Sequence, residues 1–123
     1  MTSSIPLYTT RGDWAGMIID NFIYNPGGEW IGWVSKEGQV YSVSGEYVGW
    51  LSPDKRILRR RVMETLEPRR QPPSPPTVKV RLPATVPLPP MMQELPHNIV
   101  DVFEEMPERL HTLDFDQKAP DMD

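Results

Sequence analysis

The densest run of chemistry-bearing side chains is basic: Lys55, Arg56, Arg59, Arg60 and Arg61 stand almost side by side. Cationic groups at that density can hold a phosphate or another anion, by charge and by forked hydrogen bonding. On a strand, however, Arg59 and Arg61 share one face and Arg60 takes the other. Lys55, Arg56, Arg59 and Arg61 are therefore the candidate anion-binding residues, as a divided patch. A second basic group opens a proline-rich stretch. Arg69-x-x-Pro72-x-x-Pro75 and Arg70-x-x-Pro73-x-x-Pro76 both match the basic-anchored pattern that aromatic grooves read in a protein partner. Any basic, proline-rich linker produces the same pattern, so a semi-rigid spacer is the plainer reading.

The other constellations reduce to structure. His111, Asp114 and Asp116 have the atoms of metal ligands, but a closed site needs a fourth ligand and an ordered backbone. Glu104 and Glu105 are adjacent and diverge on a helix, so they make no acid–base dyad. His97, beside Pro96, reads as a surface residue. Arg11-Gly12-Asp13 matches an adhesion tripeptide, yet Gly12 already has a reason to be there as a turn residue. With no cysteine, a disulfide scaffold, a thiolate zinc site and a cysteine nucleophile are all excluded. No serine–histidine–aspartate order, phosphate loop or dinucleotide fingerprint is present. The sequence names no catalytic residue, no cofactor and no metal ligand, and an enzyme is not expected.

The elements that position these groups declare themselves by repetition. Tyr8, Gly12, Trp14 and Gly16 recur as Tyr24, Gly28, Trp30 and Gly32, and again as Tyr41, Gly45, Tyr47 and Gly49. An apolar residue precedes each tyrosine: Leu7, Ile23 and Val40. Tyrosine and its neighbour suit a strand, the aromatic-x-Gly piece suits another, and the glycine between them suits a left-handed turn position. Each unit is a β-hairpin, linked to the next by Ser35–Gly38 and Ser52–Lys55. Ile57-Leu58 opens a fourth unit whose second half has drifted. Simple alternation places Trp30 and Gly32 on one face and Ile31 and Trp33 on the other, with Tyr47/Gly49 against Val48/Trp50 repeating the arrangement. Both faces are then apolar, so the tail or another subunit must cover one of them. The tryptophans and tyrosines read as core, because aromatics dominate small cores.

The recurrent Tyr-x3-Gly-x-(Trp/Tyr)-x-Gly hairpin, ending in a truncated fourth copy, resembles the bacterial four-fold β-flower proteins over residues 5–62. That resemblance implies hairpins arranged around a pseudo-four-fold axis, and it carries no activity, cofactor or catalytic residue with it. Ser44-Gly-Glu-Tyr-Val-Gly-Trp-Leu51 is more weakly similar to the strand pair of PRC-barrel adaptors, which lack the threefold internal recurrence.

Composition divides the chain of 123 residues accordingly. Its 15 prolines are about 12 % of the residues, against a usual share of roughly 5 %. Most of them lie between Pro68 and Pro96. The hydrophobic share is 38 % and mean hydropathy −0.47. Residues 1–66 form the hairpin domain, 67–93 a proline-rich extended arm, 94–116 an amphipathic helical segment that packs on the sheet, and 117–123 a disordered tail. Pro96 stands as a first helical residue, and Ile99, Val102, Phe103, Met106 and Leu110 form one apolar stripe. Residues 78–82 alternate as a short edge strand. The middle of the chain is basic and the C-terminal part acidic, an arrangement that favours contact between them. The overall pI of about 5.2 argues against a dedicated nucleic-acid binder. No leader or membrane-inserted span is read, and the expected setting is the cytoplasm. The expected protein is mainly β and non-enzymatic, an interaction or scaffold module. Its partner is another protein or a second copy of itself, with anion or nucleic-acid binding through Lys55–Arg61 as the alternative.

Overall fold

A computed structural model describes residues 4–63, 67–77 and 80–113. Among the described residues, eight antiparallel strands follow one another in chain order through a single sheet. They are β1 (Ser4–Tyr8), β2 (Trp14–Ile19), β3 (Phe22–Tyr24), β4 (Trp30–Val34), β5 (Gln39–Ser42), β6 (Tyr47–Leu51), β7 (Ile57–Arg60) and β8 (Ile99–Asp101). The sheet curls until the Tyr8 N–H reaches the Lys55 carbonyl at 2.9 Å, bringing the first hairpin against the link before β7.

One local device builds three hairpin tips and two links. A Thr, Asn or Ser opens the turn, and its side-chain oxygen accepts from the N–H four residues on. The pairs are Thr9–Asp13, Asn25–Glu29, Ser35–Gln39, Ser42–Glu46 and Ser52–Arg56, all at 3.0–3.1 Å. The residue just before the donor is left-handed: Gly12, Gly28, Gly38 and Gly45, with Lys55 at φ 65° in the fifth turn. Glycine adopts that conformation without the Cβ clash that other residues meet, which explains its period. The remaining link, Asp20-Asn21 between paired Ile19 and Phe22, has positive φ at both residues, as a two-residue type I′ turn requires.

The second strand of each repeat departs from simple alternation. Tyr8 pairs with Trp14 while Leu7 pairs with Gly16, and the same slip recurs at Tyr24/Trp30 and Tyr41/Tyr47. Ala15, Ile31 and Val48 are therefore bulged residues, each an extra one against the partner strand. A one-residue slip reverses the faces beyond it. Trp33 thus joins Trp30 in an aromatic cluster with Tyr24, Phe22 and Val43. Ile31 and Val34 join the aliphatic core with Leu7, Ile18, Ile23, Val40, Val48 and Ile57. The expected pairing of Ile31 with Trp33 is corrected by this bulge.

The fourth hairpin is completed from a distance. β8 pairs with β7 through Leu58–Asp101, Arg59–Val100 and Arg60–Ile99, so the missing second strand comes from the far side of the proline-rich segment. Ile99 and Val100, expected on a helix opened by Pro96, are strand residues instead, as β-branched side chains favour when an unpaired strand is available. The helix α1 spans only Val102–Glu105, capped by the Asp101 carboxylate accepting from the Phe103 N–H at 3.1 Å. Pro107 then opens a 3₁₀ turn, Pro107–Arg109. Val102 and Leu110 enter the aliphatic core, with Phe103 and Met106 packed against it. Residues 80–82 form no strand, and 78–79 lie outside the described residues.

Candidate interaction surface and the basic residues

The proline-rich segment is a strap laid along the three hairpin tips in reverse chain order and then onto the β6–β7 link. At the β5–β6 tip, the Arg70 N–H donates to the Gly45 carbonyl at 3.0 Å, and the Arg69 guanidinium donates to the Ser44 carbonyl at 2.9 Å. At the β3–β4 tip, a Cβ on Gly28 would fall 2.7 Å from the Val80 carbonyl oxygen, so only glycine lets the strap so close. At the β1–β2 tip, Pro89 lies over Gly12, and the Tyr8 hydroxyl donates to the Pro87 carbonyl. Last, at the β6–β7 link, the Gln93 N–H donates to Asp54 at 3.1 Å while its carbonyl accepts from Arg56 at 2.8 Å. The N–H groups of Arg70 and Gln93 and the carbonyls of Pro87 and Gln93 find their partners in this way outside any ladder.

The strap rests on aromatic side chains. Val80, Leu82 and Leu113 pack against the cluster of Tyr24, Trp30 and Val43. Trp33 stacks on Tyr41 at 4.6 Å between centroids, Tyr47 meets Tyr41 edge-on at 5.9 Å, and Arg70 sits 5.4 Å above the Tyr41 ring. Arg70 also pairs with Glu37 at 3.2 Å and Arg69 with Glu46 at 4.0 Å. Both basic anchors of the PxxP pattern thus engage the hairpins. Pro72 lies near Gly45 and Pro76 is half-buried, while Pro73 and Pro75 are exposed.

The candidate anion residues are drawn apart. Arg56 is fully buried in an ion pair with Asp54, and it donates to the Thr10 hydroxyl at 3.0 Å. Burial alone would raise the Asp54 pKa, but hydrogen bonds from Arg56, Ser52 and the Gln93 N–H outweigh it and hold the carboxyl down to about 2. Thr10 passes the network on: its N–H and hydroxyl both donate to Asp101, at 2.6 and 2.8 Å. Burial raises the Asp101 pKa against the lowering effect of those bonds.

Arg59 is buried too, donating to the carbonyls of Tyr47 and Val48 at 3.1 and 2.8 Å. In the first two repeats an indole makes the local bond, Trp14 and Trp30 donating to the carbonyls of Gly16 and Gly32 at 2.7 Å, whereas in the third Arg59 bonds to the carbonyls of the aromatic residue and the bulged residue. Burial, with Arg109 nearby, lowers the Arg59 pKa. Arg61 is exposed, donating to the His97 carbonyl at 2.9 Å and pairing with Glu105 at 3.3 Å. Lys55 occupies its turn. The residue sequence reasoning set aside, Arg60, is the exposed one of β7, and with Tyr47, Trp50, Gln39 and Asn98 it lines a cleft of about 780 Å³.

Among the described residues no group of three or more His, Asp or Glu side chains could hold a metal ion, and Asp114 and Asp116 lie outside them. No described helix is long and apolar enough to cross a membrane. Tandem hairpins with repeated aromatic-x-Gly bulges, closed by a strand of the chain's own C-terminal part, define a β-flower fold. The 4-fold beta flower protein family matches residues 5–97, well over half of the chain, and the chain belongs to that family. No curated protein and no solved structure gave a match.

Proposed function

We propose that this protein is a non-enzymatic protein-interaction or scaffold module of the cytoplasm, an assembly subunit that works by holding extended chain against its aromatic face. The seat of the strap supports this reading best. Tyr24, Trp30 and their neighbours hold a proline-rich segment whose described residues form no strand or helix. Extended proline-rich chain on aromatic side chains is a recurring mode of peptide recognition, because little further order has to be imposed on the ligand. Polar chemistry, by contrast, is spent on internal contacts at Arg56, Arg59, Arg69 and Arg70.

The test is gentle purification of the protein from its native lysate at low salt, with and without nuclease. A protein that co-purifies in stoichiometric amount after nuclease treatment supports the module. Nucleic acid alone, leaving at moderate salt, replaces it with the second reading. One observation favours that alternative: exposed Arg60 lines the same cleft as Tyr47 and Trp50. Binding of a single-stranded polyanion that falls with salt and is lost in Arg60→Ala would establish it; Arg59→Ala is the wrong probe, because Arg59 is part of the core.

A further inference from the structure

The seven strands of residues 4–60 form a template, and the strap laid on it turns a surface of its own outward. From Thr85 to Leu95 the covering of the strap has a period of three. Val86, Pro89, Met92 and Leu95 are half-buried, whereas Thr85, Leu88, Met91 and Glu94 are exposed. No strand or helix runs there, and the prolines at 87, 89 and 90 hold φ at about −65°. A period of three in an extended chain set by prolines is that of the polyproline II helix, which advances about 9 Å in each turn of three residues. One edge of this three-sided rod lies on the domain, and the others face water.

Named contacts fix which edge lies inward. Pro89 lies over Gly12, the Pro87 carbonyl accepts from the Tyr8 hydroxyl, and Gln93 is tied through its backbone to Asp54 and Arg56. Leu88 is then 92 % exposed and Met91 88 % exposed; with Val62 they are the exposed large hydrophobic side chains among the described residues. A single exposed leucine needs no explanation. Two large apolar side chains one turn apart on the same edge, each following a proline, form a ridge.

We propose that this ridge, Pro87-Leu88 and Pro90-Met91, is a ligand that the seated strap displays to a partner protein with an aromatic-walled groove for polyproline II chain. This deepens the interaction-module reading by naming the kind of partner, and it rests on that reading.

Geometry, charge and order all fit such a partner. Aromatic grooves that read proline-rich chain use the regular, preformed polyproline II helix, and the ridge offers two proline–apolar pairs at that repeat. No charged residue lies between Leu82 and Gln93; Arg81 and Glu94 stand at the two ends. Recognition there must come from rings and shape, and a phosphate backbone or an anionic headgroup finds no row of cations to hold it. The basic-anchored pattern earlier in the strap differs on this point, because Arg69 and Arg70 are engaged by Glu46 and Glu37. The aromatic cluster of a second copy is no equivalent groove: Tyr24, Trp30 and Val43 are already covered by Val80, Leu82 and Leu113 of their own chain. Finally, the segment is ordered when the chain folds, so a partner binds it without the entropy loss that a free proline-rich peptide suffers.

The probe is a set of isolated, fluorescently labelled WW domains that accept uncharged proline-rich ligands, titrated with the full-length protein. Saturable binding is expected, weakened about tenfold or more in L88D/M91D through loss of both anchors. P73A/P75A, which alters exposed prolines elsewhere on the strap, is expected to bind like the parent, and L88M/M91L to retain binding. The urea midpoint of L88D/M91D is expected to match the parent's, because both side chains already stand in water. Absence of binding to every domain overturns the proposal, as does binding that L88D/M91D leaves intact or that P73A/P75A abolishes equally. A fallen urea midpoint in L88D/M91D overturns it too, by showing that the two side chains serve the fold. Self-association that depends on Leu88 and Met91, with no domain bound, assigns the ridge to a second copy instead. A protein that co-purifies equally with the parent and with L88D/M91D overturns the ridge but leaves the interaction module standing; the module itself falls only when no protein co-purifies with the parent.

Discussion

Two tryptophans of one strand separate what a hydrogen bond contributes from what area contributes. The Trp30 indole donates to the Gly32 carbonyl at 2.7 Å, whereas the Trp33 indole nitrogen is buried without a partner. Both lose a similar area on conversion to phenylalanine, but only Trp30→Phe abandons a bond, and it leaves a buried carbonyl behind. Trp30→Phe is expected to cost about 1–2 kcal/mol more than Trp33→Phe in urea unfolding. The buried Asp54–Arg56 pair makes a second prediction. Because the Asp54 carboxyl is held down to about 2 in the fold, from an ordinary 3.8, its contribution is present above pH 3.8 and lost as pH falls toward 2. Asp54→Asn is expected to lower stability at pH 7 by about 3 kcal/mol and to flatten the acid limb between pH 4 and 2. Asp101 has the opposite sign: its raised pKa favours the proton in the fold, so its share of stability falls as pH rises through that pKa. An unchanged acid limb in Asp54→Asn would mean that the pair carries no linkage.

Glycines of two kinds divide the hairpin elements. A Cβ on Gly32 would fall 2.6 Å from the Tyr41 carbonyl oxygen and 2.8 Å from a Leu110 methyl, so the adjoining strand and the C-terminal segment must both give way. Gly38 has open space around it and only a left-handed backbone, at φ 83°. Gly38→Ala is expected to cost about 1 kcal/mol through conformation alone. Gly32→Ala is expected to cost about 3 kcal/mol through overpacking, both read from denaturant midpoints at constant slope. Equal losses would mean that the close approach is not what fixes glycine in the strand. The hairpins, their tips and the truncated fourth copy were legible because each turn repeats one device at one spacing. The bulge was not, although a trace stood in the sequence. Trp30/Trp33 and Tyr47/Trp50 are three apart, a spacing that puts like residues on opposite faces unless an extra residue intervenes. β8 was hidden because Ile99, Val102, Phe103 and Met106 also satisfy a helical period. Only the lone strand β7, a tertiary demand, decides that Ile99–Asp101 pair with it.

At the scale of the whole molecule, the charge asymmetry was legible as a drive toward internal contact, but its partners were not. The basic middle pairs with the template at Glu37 and Glu46 as well as with the acidic end at Glu105, because the strap must first pass the hairpin tips before it returns to β7. The path explains why a chain so rich in proline still folds: the strap needs no ladder of its own, and its stiffness lowers the entropy lost when it is laid down. It also makes the hairpins depend on it. A domain of about 60 residues is marginal by burial alone. Val102 and Leu110 are each expected to add about 1.5–3 kcal/mol by entering its core, since both are almost wholly removed from water. A fragment ending at residue 66 keeps every turn device and seven of the eight strands, yet it leaves the aliphatic core open over Gly16 and Gly32, where Phe103 and Leu110 sit. It is therefore expected to retain β-type far-ultraviolet dichroism, lose its near-ultraviolet signal, bind a hydrophobic dye and unfold without a cooperative transition. A sharp two-state transition with native near-ultraviolet dichroism would show instead that the hairpins close upon themselves, and the strap would then be an attachment to the flower and no part of its core.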